Sequence, residues 1–253
     1  MVNASPLAIG AEDPISAQER VLMILKIIAQ AGHPASAAEL MKRTGLAKST
    51  LYRQLTLLKR WGFVMETGNL YAPGPVSLQL AISFNQTTLL TQYAQQDMQW
   101  LAEQSQETVA ITVAMNRQAI CISMIEARQS LRCSFEKGRS IPLRSGATAK
   151  CLLAYLPEKE RRHILQLEFP HPEQRAAIGV QLQDIRRQGF ACSDSEVDAG
   201  VWGVSFPLMT SSQKLLGVLS LMAPSQRVIG RQATLINLTA QAADRLHHPL
   251  KDL

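Results

Sequence analysis

The 253-residue sequence predicts an α+β fold that is divided into two domains. Two observations carry this prediction. Residues 1–75 combine three helical patterns with two short extended runs, whereas the remainder alternates between groups of strand-like runs and helical segments. At about 150 residues per domain, the length suits one large domain or two smaller ones. A hydrophobic fraction of 46% supplies material for packed cores, which excludes a disordered chain and a disulfide-stapled scaffold.

Two capping boxes predict where the first two helices begin. In Ser16–Glu19 and again in Ser36–Glu39, a serine and a glutamate stand three residues apart, where both side chains satisfy the first unpaired amides of a helix. The first box is followed by apolar residues at helical spacing, namely Val21, Ile24, Leu25 and Ile28. Gly32 can supply the left-handed cap that ends the first helix, and the second helix stops at Thr44-Gly45.

A third helix is predicted only two or three residues further on. Leu55 and Leu58 lie within about 40° of Leu51 on a helical wheel, which predicts a buried leucine seam. The opposite side collects polar residues: Ser49, Arg53, Thr56 and Arg60, with Thr50 and Tyr52 on the flanks. Two helices joined through a glycine turn, the second with a hydrogen-bonding face, match the helix-turn-helix pattern.

A short hairpin is predicted directly after the third helix. Phe63–Thr67 and Leu70–Ala72 are extended runs on either side of Gly68-Asn69, a dipeptide that favours a tight turn. Such a hairpin would be the wing of a winged helix. One local flaw is Ala47, which is a poor N-cap where serine or aspartate would be better.

Basic residues accumulate in the same region. The net charge of the chain is +6, and the segment between Glu39 and Glu66 contains six cations and no acid. Uncompensated positive charge in so short a segment predicts a surface that faces phosphates, the alternative being a merely solvated face. The helix-turn-helix pattern favours the first interpretation. The six cations are Lys42, Arg43, Lys48, Arg53, Lys59 and Arg60.

The third helix therefore predicts binding to double-stranded operator DNA. The major groove admits one α-helix, whose short donors and acceptors reach base edges near its N-terminus, and Arg53 can bind guanine or hold a phosphate. Lys42, Arg43, Lys59 and Arg60 are expected to contact mainly phosphates. The predicted DNA-binding residues are Lys48, Ser49, Thr50, Tyr52, Arg53, Thr56, Lys59 and Arg60. The alternative is a winged helix that docks proteins.

The domain boundaries follow from changes in pattern. Residues 1–14 are predicted as a flexible tail, 15–75 as the winged helix-turn-helix domain, 76–105 as a helical linker region with a break near Phe84-Asn85, and 106–253 as the second domain. The predicted strands are Val109–Met115, Gln118–Ile125, Leu131–Phe135, Phe190–Ser193, Val201–Leu208 and Lys214–Met222. The predicted helices are Ser145–Tyr155, Pro157–Leu167, Glu173–Gln188 and Gly230–His247. This alternation predicts one sheet with helices packed on it.

Several function classes find no support in the sequence. No apolar run approaches the roughly 20 residues of a membrane span, and Met1–Pro14 lacks the pattern of a secretory signal, so we expect a cytoplasmic protein without a membrane partner. The four cysteines form no C-x-x-C pair and have no histidine cluster beside them. We therefore predict inert thiols, no metal site and no cofactor.

Two pairs of residues raise the possibility of catalysis. On a strand, Asp194 and Glu196 would share one face, as a catalytic carboxylate pair requires; the alternative is a loop with a helix cap or a salt bridge to Arg186 or Arg187. Cys151 and His163 could serve as nucleophile and base, but Cys151 lies in an apolar run that is typical of a core thiol. We predict ligand binding and no catalytic residue.

The order of several motifs resembles the IclR-type family of bacterial transcription regulators. In the N-terminal half these are Ser16–Ile28, Gly45–Thr50, Arg53 and Gly62–Val64. In the C-terminal half they are Gly138–Leu143, Ala147–Lys150, Gly189–Ala191, Ser193–Glu196, Gly200-Val201, Phe206–Leu208 and Gly217–Ser220. The resemblance spans roughly Ser16 to Leu246, in the family's order and spacing.

The resemblance implies a ligand-responsive transcription regulator, either a repressor or an activator, with a winged helix, a linker helix and a GAF-like effector-binding domain. It implies homodimers or dimers of dimers, for which Leu22, Leu25, Leu78 and Leu80 offer apolar surface, and a small effector that often carries a carboxylate. The effector-binding positions it implies are Ala147, Thr148, Ser193, Asp194, Val201, Gly203, Ser220 and Met222. Gly203 and Met222 replace polar or sulfhydryl side chains of some members, which argues against a strongly polar effector. The rival interpretations are a metabolite-binding hydrolase and a winged-helix assembly adaptor.

Overall fold

The chain forms two compact units that divide between Thr87 and Thr88. The structure, a computed structural model, describes residues 16–131, 133 and 137–251, and among these the side chains of 85–87 are not described. The predicted tail, 1–14, lies outside the described residues. The predicted linker region, 76–105, is shared between the two units, because one of its helices falls in each.

The N-terminal unit contains four helices and a small sheet among its described residues. Its helices are α1 (Ala17–Ala31), α2 (Ala37–Thr44), α3 (Lys48–Arg60) and α4 (Pro75–Thr87). Its strands are β1 (Ala35–Ser36), β2 (Val64–Thr67) and β3 (Leu70–Pro73). The three helices and the hairpin predicted from the sequence are confirmed. The two-residue strand β1, which pairs with β3, was not predicted.

The predicted caps explain where the first helices begin and end. The Ser16 hydroxyl accepts a hydrogen bond from the Glu19 amide at 3.2 Å, and the Glu19 carboxylate accepts one from the Ser16 amide at 2.8 Å. Gly32 and Gly45 both have φ of 69°, the left-handed conformation that glycine adopts without strain. As expected, Ala47 caps α3 without a side-chain hydrogen bond.

The wing and the leucine seam also follow the sequence. Gly68 and Asn69 have φ of 58° and 62°, the conformation of a tight hairpin turn between β2 and β3. The three seam leucines of α3 are buried in the core of this unit, as predicted. The buried hydrophobic residues of that core are Ile24, Ile27, Ile28, Ala35, Leu40, Leu51, Leu55, Leu58, Val64 and Tyr71.

The C-terminal unit is built around one antiparallel sheet of six strands. Its helices are α5 (Leu89–Ser105), α6 (Ala147–Tyr155), α7 (Glu158–Glu168), α8 (Pro172–Gln188), α9 (Ser225–Val228) and α10 (Gln232–Leu250). Its strands are β4 (Thr108–Met115), β5 (Gln118–Ile125), β6 (Ser140–Pro142), β7 (Ala191–Asp194), β8 (Val201–Met209) and β9 (Leu215–Pro224). The spatial order is β6-β5-β4-β9-β8-β7.

Two hydrophobic cores cover the two faces of this sheet. Alternate residues of β8 and β9, such as Trp202 and Leu221, belong to one core together with α5 and α10. Residues on the other side, such as Val218, belong to a second core with α6 and α8. This alternation is the period of two expected when both faces of a sheet are covered. It places Ser205 and Ser220, which stand opposite each other in the ladder, on the α6 side.

Several details of the C-terminal unit differ from the prediction, among them the short helix α9, which was not predicted. The predicted strand 131–135 is wrong at Leu131 and Cys133, which lie outside any strand, and its other positions lie outside the described residues. Ser140–Pro142, for which no strand was predicted, forms the edge strand β6. Helix α6 begins at Ala147 and not at Ser145, because Gly146 has φ of 88° and cannot continue a right-handed helix. Among the described residues, no helix combines the length and apolarity that a membrane span needs.

Candidate functional site

One face of α3 presents the polar side chains that the sequence singled out. The leucine seam faces the core, and the opposite side of the helix is open to solvent. The Thr56 hydroxyl donates to the Tyr52 carbonyl at 2.9 Å, and the Lys48 ammonium lies 6.0 Å from the centre of the Tyr52 ring. Exposed on this face are Lys48, Ser49, Tyr52, Arg53, Thr56, Lys59 and Arg60, and Thr50 is half-buried.

The prediction of six uncompensated cations was wrong for two of them. An Arg43 nitrogen lies 3.8 Å from the Glu39 carboxylate, one helical turn away along α2. Lys59 forms an ion pair with Glu66 of the wing. The sequence has no acid between Glu39 and Glu66, but these two acids at the ends of the segment each pair with a cation inside it. Lys42, Lys48, Arg53 and Arg60 have no carboxylate within ion-pair distance among the described residues.

Glu66 is bound from two sides. Its carboxylate accepts a hydrogen bond from Lys59, at the end of α3, and another from the Tyr71 hydroxyl on β3 at 3.0 Å. The hydrogen bond from Lys59 lowers the pKa of Glu66, and burial, followed by the bond to Glu66, raises the pKa of Tyr71 to about 12. The wing is thereby tied to the last turn of α3.

The N-terminus of α6 is already capped by the chain itself. The Gly146 amide donates to the Glu196 carboxylate at 3.0 Å, and the Ala147 amide donates to the Ser193 hydroxyl at 2.8 Å. These two amides are therefore already paired within the chain. A carboxylate at this position is favourable because the first amides of a helix carry partial positive charge.

A buried lysine completes this cap. The Lys150 ammonium donates to the other oxygen of Glu196 at 2.5 Å, and its side chain is only 9% exposed. The 195–200 loop lies so close that a β-carbon on Gly146 would come within 2.7 Å of Val197. The helix cap that the sequence analysis considered for Glu196 is thus confirmed. The salt bridge of Glu196 is formed with Lys150 and not with Arg186 or Arg187. Arg187 instead pairs with Asp184, and Arg186 donates to the Ala154 carbonyl.

Three hydroxyls meet between α6 and the sheet. Thr148 lies 3.0 Å from Ser220 and 3.3 Å from Ser205, and the two serine oxygens are 2.7 Å apart. Both serines are buried and Thr148 is half-buried. Sequence reasoning found Thr148 and Ser220 but missed Ser205. The pairing of β8 with β9 could have identified Ser205, because it stands directly opposite Ser220.

The remaining predicted effector positions divide into two groups. Gly203 is opposite both Met222 and Ser193 in the sheet, and a β-carbon there would lie 3.8 Å from the side chains of Ala147 and Met222. These residues therefore come together beside the N-terminus of α6. Asp194 is exposed and accepts hydrogen bonds from Ser225 at 2.6 Å and Ser195 at 2.9 Å, and the bond from Ser225 is the main reason why its pKa is lowered.

Val201 begins β8 at the other end of the same loop, where its carbonyl accepts a hydrogen bond from the Ser195 amide at 2.8 Å.

Neither candidate catalytic pair is assembled. Cys151 is buried, and burial raises the pKa of its thiol, whereas His163 is exposed on α7. The described residues contain no group of three or more His, Cys, Asp or Glu side chains placed to hold a metal ion.

Two family models match the chain. The IclR helix-turn-helix domain matches residues 17–68, and the C-terminal domain of the bacterial transcriptional regulator IclR matches residues 84–248. The chain belongs to the IclR family. The order of motifs noted in the sequence, the winged helix and the helix-covered antiparallel sheet are therefore those of an IclR-type transcription regulator, with an N-terminal DNA-binding domain and a C-terminal effector-binding domain.

Several similar proteins match most of the chain, and one of them is a solved structure with the same fold. The HTH-type transcriptional regulator Rv1719 of Mycobacterium tuberculosis is 32% identical over 213 residues, covering 80% of this chain and 81% of its own. The acetate operon repressor of Salmonella typhimurium is 27% identical over 225 residues, covering 85% and 82%. An IclR homologue of Microbacterium hydrocarbonoxydans, crystallised with 4-hydroxybenzoate, superposes with a TM-score of 0.75 at 17% identity, covering 93% of this chain and 99% of the other.

Proposed function

We propose that this IclR-family protein represses transcription in the cytoplasm. It recognises its operator through α3, and its affinity for the operator rises or falls when a small acid binds the C-terminal unit. The observation that carries the DNA-binding part is the division of α3 into a buried leucine seam and an exposed face of hydroxyls and cations. The acetate operon repressor supports repression as the mode of action.

On the DNA side, we assign base contacts to the residues near the N-terminus of α3. Ser49, Thr50, Tyr52 and Arg53 offer short donors, acceptors and one guanidinium that binds guanine bidentately. Lys48, Thr56 and Arg60 are assigned to the phosphates, which supply affinity without sequence information. Lys59 stands at the edge of this set, since its ammonium already has a partner in Glu66.

On the effector side, we propose that the ligand occupies a pocket beside the N-terminus of α6, at the cluster of hydroxyls. The hydroxyls of Thr148, Ser205 and Ser220 can donate to a carboxylate, and Ala147, Gly203 and Met222 offer apolar contacts for the rest of a small molecule. Ser193, Asp194 and Val201 border the site through the 195–200 loop. A homologue that binds 4-hydroxybenzoate, an aromatic carboxylate, supports this ligand class.

No catalytic role is assigned to this pocket. The hydroxyls are hydrogen-bonded to one another, and the buried Lys150 is neutralised by Glu196. A nucleophile needs an adjacent base within hydrogen-bonding distance, and no such pair lies among the described residues of this pocket. The adaptor interpretation is not favoured, because an adaptor needs neither this polar cluster nor the base-reading face of α3.

The test of the proposed function is a binding measurement with an operator obtained by selection from a random-sequence library. The purified protein is expected to enrich one palindromic motif, whose half-sites lie about one helical turn or a multiple apart. One acid from a panel of small organic acids is expected to raise the thermal midpoint and to change operator affinity. A ligand at 100 times its Kd stabilises by about 2.7 kcal/mol. No enriched motif would contradict the DNA-binding assignment.

We propose further that the protein is a homodimer or a dimer of dimers, as reading a palindrome requires. Leu22 on α1 and Leu78 and Leu80 on α4 are each more than half exposed, whereas Leu25 is half-buried against the core. Replacing Leu78 and Leu80 by aspartate is expected to raise the dimer Kd at least about tenfold, because charges would enter an apolar contact. Sedimentation equilibrium measures the change.

The matched control for self-association is Leu167→Asp, a substitution of the same chemistry at an exposed position of α7. It should leave the dimer unchanged. A wild-type protein that sediments as a monomer at micromolar concentration and still binds its operator would contradict the proposed assembly.

A further inference from the structure

Glu66 is an acid that contacts the edge of the proposed DNA-binding face. It sits on β2 of the wing, and its carboxylate binds Lys59 of α3 and Tyr71 of β3. These three residues belong to three elements of the winged helix. The contact therefore joins the recognition helix to both strands of the wing.

The geometry leaves Glu66 little freedom. Glu66 and Tyr71 are direct partners in the antiparallel ladder of β2 and β3, and Tyr71 is only 2% exposed. The Tyr71 hydroxyl is fixed by this burial and donates to one carboxylate oxygen, while the Lys59 ammonium donates to the other. The side chains of Lys59 and Glu66 are 37% and 27% exposed, so the ion pair lies at the surface and is held in place by the Tyr71 hydroxyl.

The protonation states needed for this arrangement persist over the physiological range. The hydrogen bonds from Lys59 and Tyr71 lower the pKa of Glu66, which keeps the carboxylate ionised. Burial raises the pKa of Tyr71 to about 12, which keeps its hydroxyl a donor. A carboxylate with two such donors is a stable acceptor.

We propose that Glu66 is a positioning residue that fixes the wing on the recognition helix and withholds the charge of Lys59 from the DNA backbone. The proposal rests on the proposed function, in which α3 lies in the major groove. It assigns Glu66 a role in setting DNA affinity: the carboxylate lowers the sequence-independent share of the binding affinity and leaves base contacts intact.

The physical reason is counterion release. Each phosphate that a protein cation neutralises contributes about 0.9 to the slope of log K against log salt concentration. A lysine that stays paired with a carboxylate releases no phosphate counterion. The carboxylate also repels the phosphates nearest to the wing, so both effects weaken binding to every sequence alike.

The experiment measures the binding of a random-sequence duplex of about 30 base pairs to the full chain between 50 and 200 mM salt. Glu66→Gln keeps the shape and an acceptor but removes the charge. It is expected to steepen the salt slope by about 0.9 and to raise random-duplex affinity on the order of tenfold at 50 mM salt. Affinity for the selected operator should rise by a similar factor, because the base contacts are unchanged.

Lys59→Ala is then made in both backgrounds. In the wild-type protein it should leave the slope nearly unchanged, and in Glu66→Gln it should remove the added 0.9. Tyr71→Phe is the structural control, because it removes one hydrogen bond to Glu66 and keeps every charge; its slope should equal that of the wild type. Thermal melting of each variant verifies folding.

The outcomes separate this inference from the proposed function. A wild-type chain that binds neither the random duplex nor any selected operator contradicts the proposed function. A wild-type chain that binds DNA, with Lys59→Ala lowering the slope equally in both backgrounds, overturns the inference, since Lys59 would then face phosphates despite Glu66. A Glu66→Gln slope equal to that of the wild type overturns it as well.

Discussion

Replacing Arg53 by alanine is expected to weaken operator binding by about 1–3 kcal/mol, or roughly 5- to 150-fold. Arg53 is exposed on the side of α3 opposite the leucine seam, and among the described residues no carboxylate lies within ion-pair distance of it. Its five donors are therefore available to the O6 and N7 acceptors of a guanine. The loss should be confined to sequences that carry this guanine.

Arg60→Ala is the matched control, because it removes the same side chain from the same helix two turns later. Arg60 is assigned to phosphates, so its loss should weaken operator and random duplexes equally and should reduce the salt slope by about 0.9. Titrations of both variants against both duplexes, at several salt concentrations, measure the difference. Equal losses on operator and random DNA for Arg53→Ala would show that it reads no base.

The N-terminal unit could be predicted almost completely because its signals are local. The capping serines, the left-handed glycines and the Gly68-Asn69 turn each act within four residues of chain, and the structure confirms them. What could not be predicted depends on pairing between distant segments. Strand β1 is two residues long and exists only because β3 lies beside it. The ion pair between Lys59 and Glu66 likewise depends on the contact of the wing with α3.

The C-terminal unit was predicted less completely for the same physical reason. Five of the six predicted strands are present, because burial on both faces leaves apolar runs that the sequence shows directly. The edge strand β6 has no such run, and its assignment depends on its pairing with β5. The cap of α6 depends on Glu196, which lies 46 residues after Lys150, and no periodic pattern connects positions so far apart.

The cap also changes how an effector carboxylate would be held. Glu196 already occupies the Gly146 amide and the Lys150 ammonium, the two groups that would otherwise attract an anion most strongly. An incoming carboxylate therefore has two routes. It binds the hydroxyls of Thr148, Ser205 and Ser220, or it displaces Glu196 together with the 195–200 loop. The first route breaks only hydrogen bonds among hydroxyls, which cost less than separating Glu196 from the buried Lys150.

Ser220→Ala is accordingly expected to weaken the effector by about 1.5–3 kcal/mol, or roughly 10- to 150-fold, which is the range for hydrogen bonds to charged groups. Ser220 is buried at the centre of the hydroxyl cluster, 2.7 Å from Ser205 and 3.0 Å from Thr148. Operator affinity without effector should not change, because Ser220 belongs to the C-terminal unit and not to the recognition helix. Calorimetry with the acid found by thermal-shift screening measures the loss.

Linkage makes the same measurement a test of regulation. An effector changes operator affinity only by binding one arrangement of the dimer better than the other, with a coupling free energy of about 1–3 kcal/mol. The operator must then change effector affinity by the same factor.

Ser212→Ala, which removes an exposed hydroxyl from the turn between β8 and β9, is the matched control and should leave both the effector affinity and the operator affinity unchanged. Effector affinity that is the same in Ser220→Ala as in the wild type would exclude this pocket. Effector affinity that is the same with and without operator would exclude the coupling, because reciprocity admits no one-sided effect on binding.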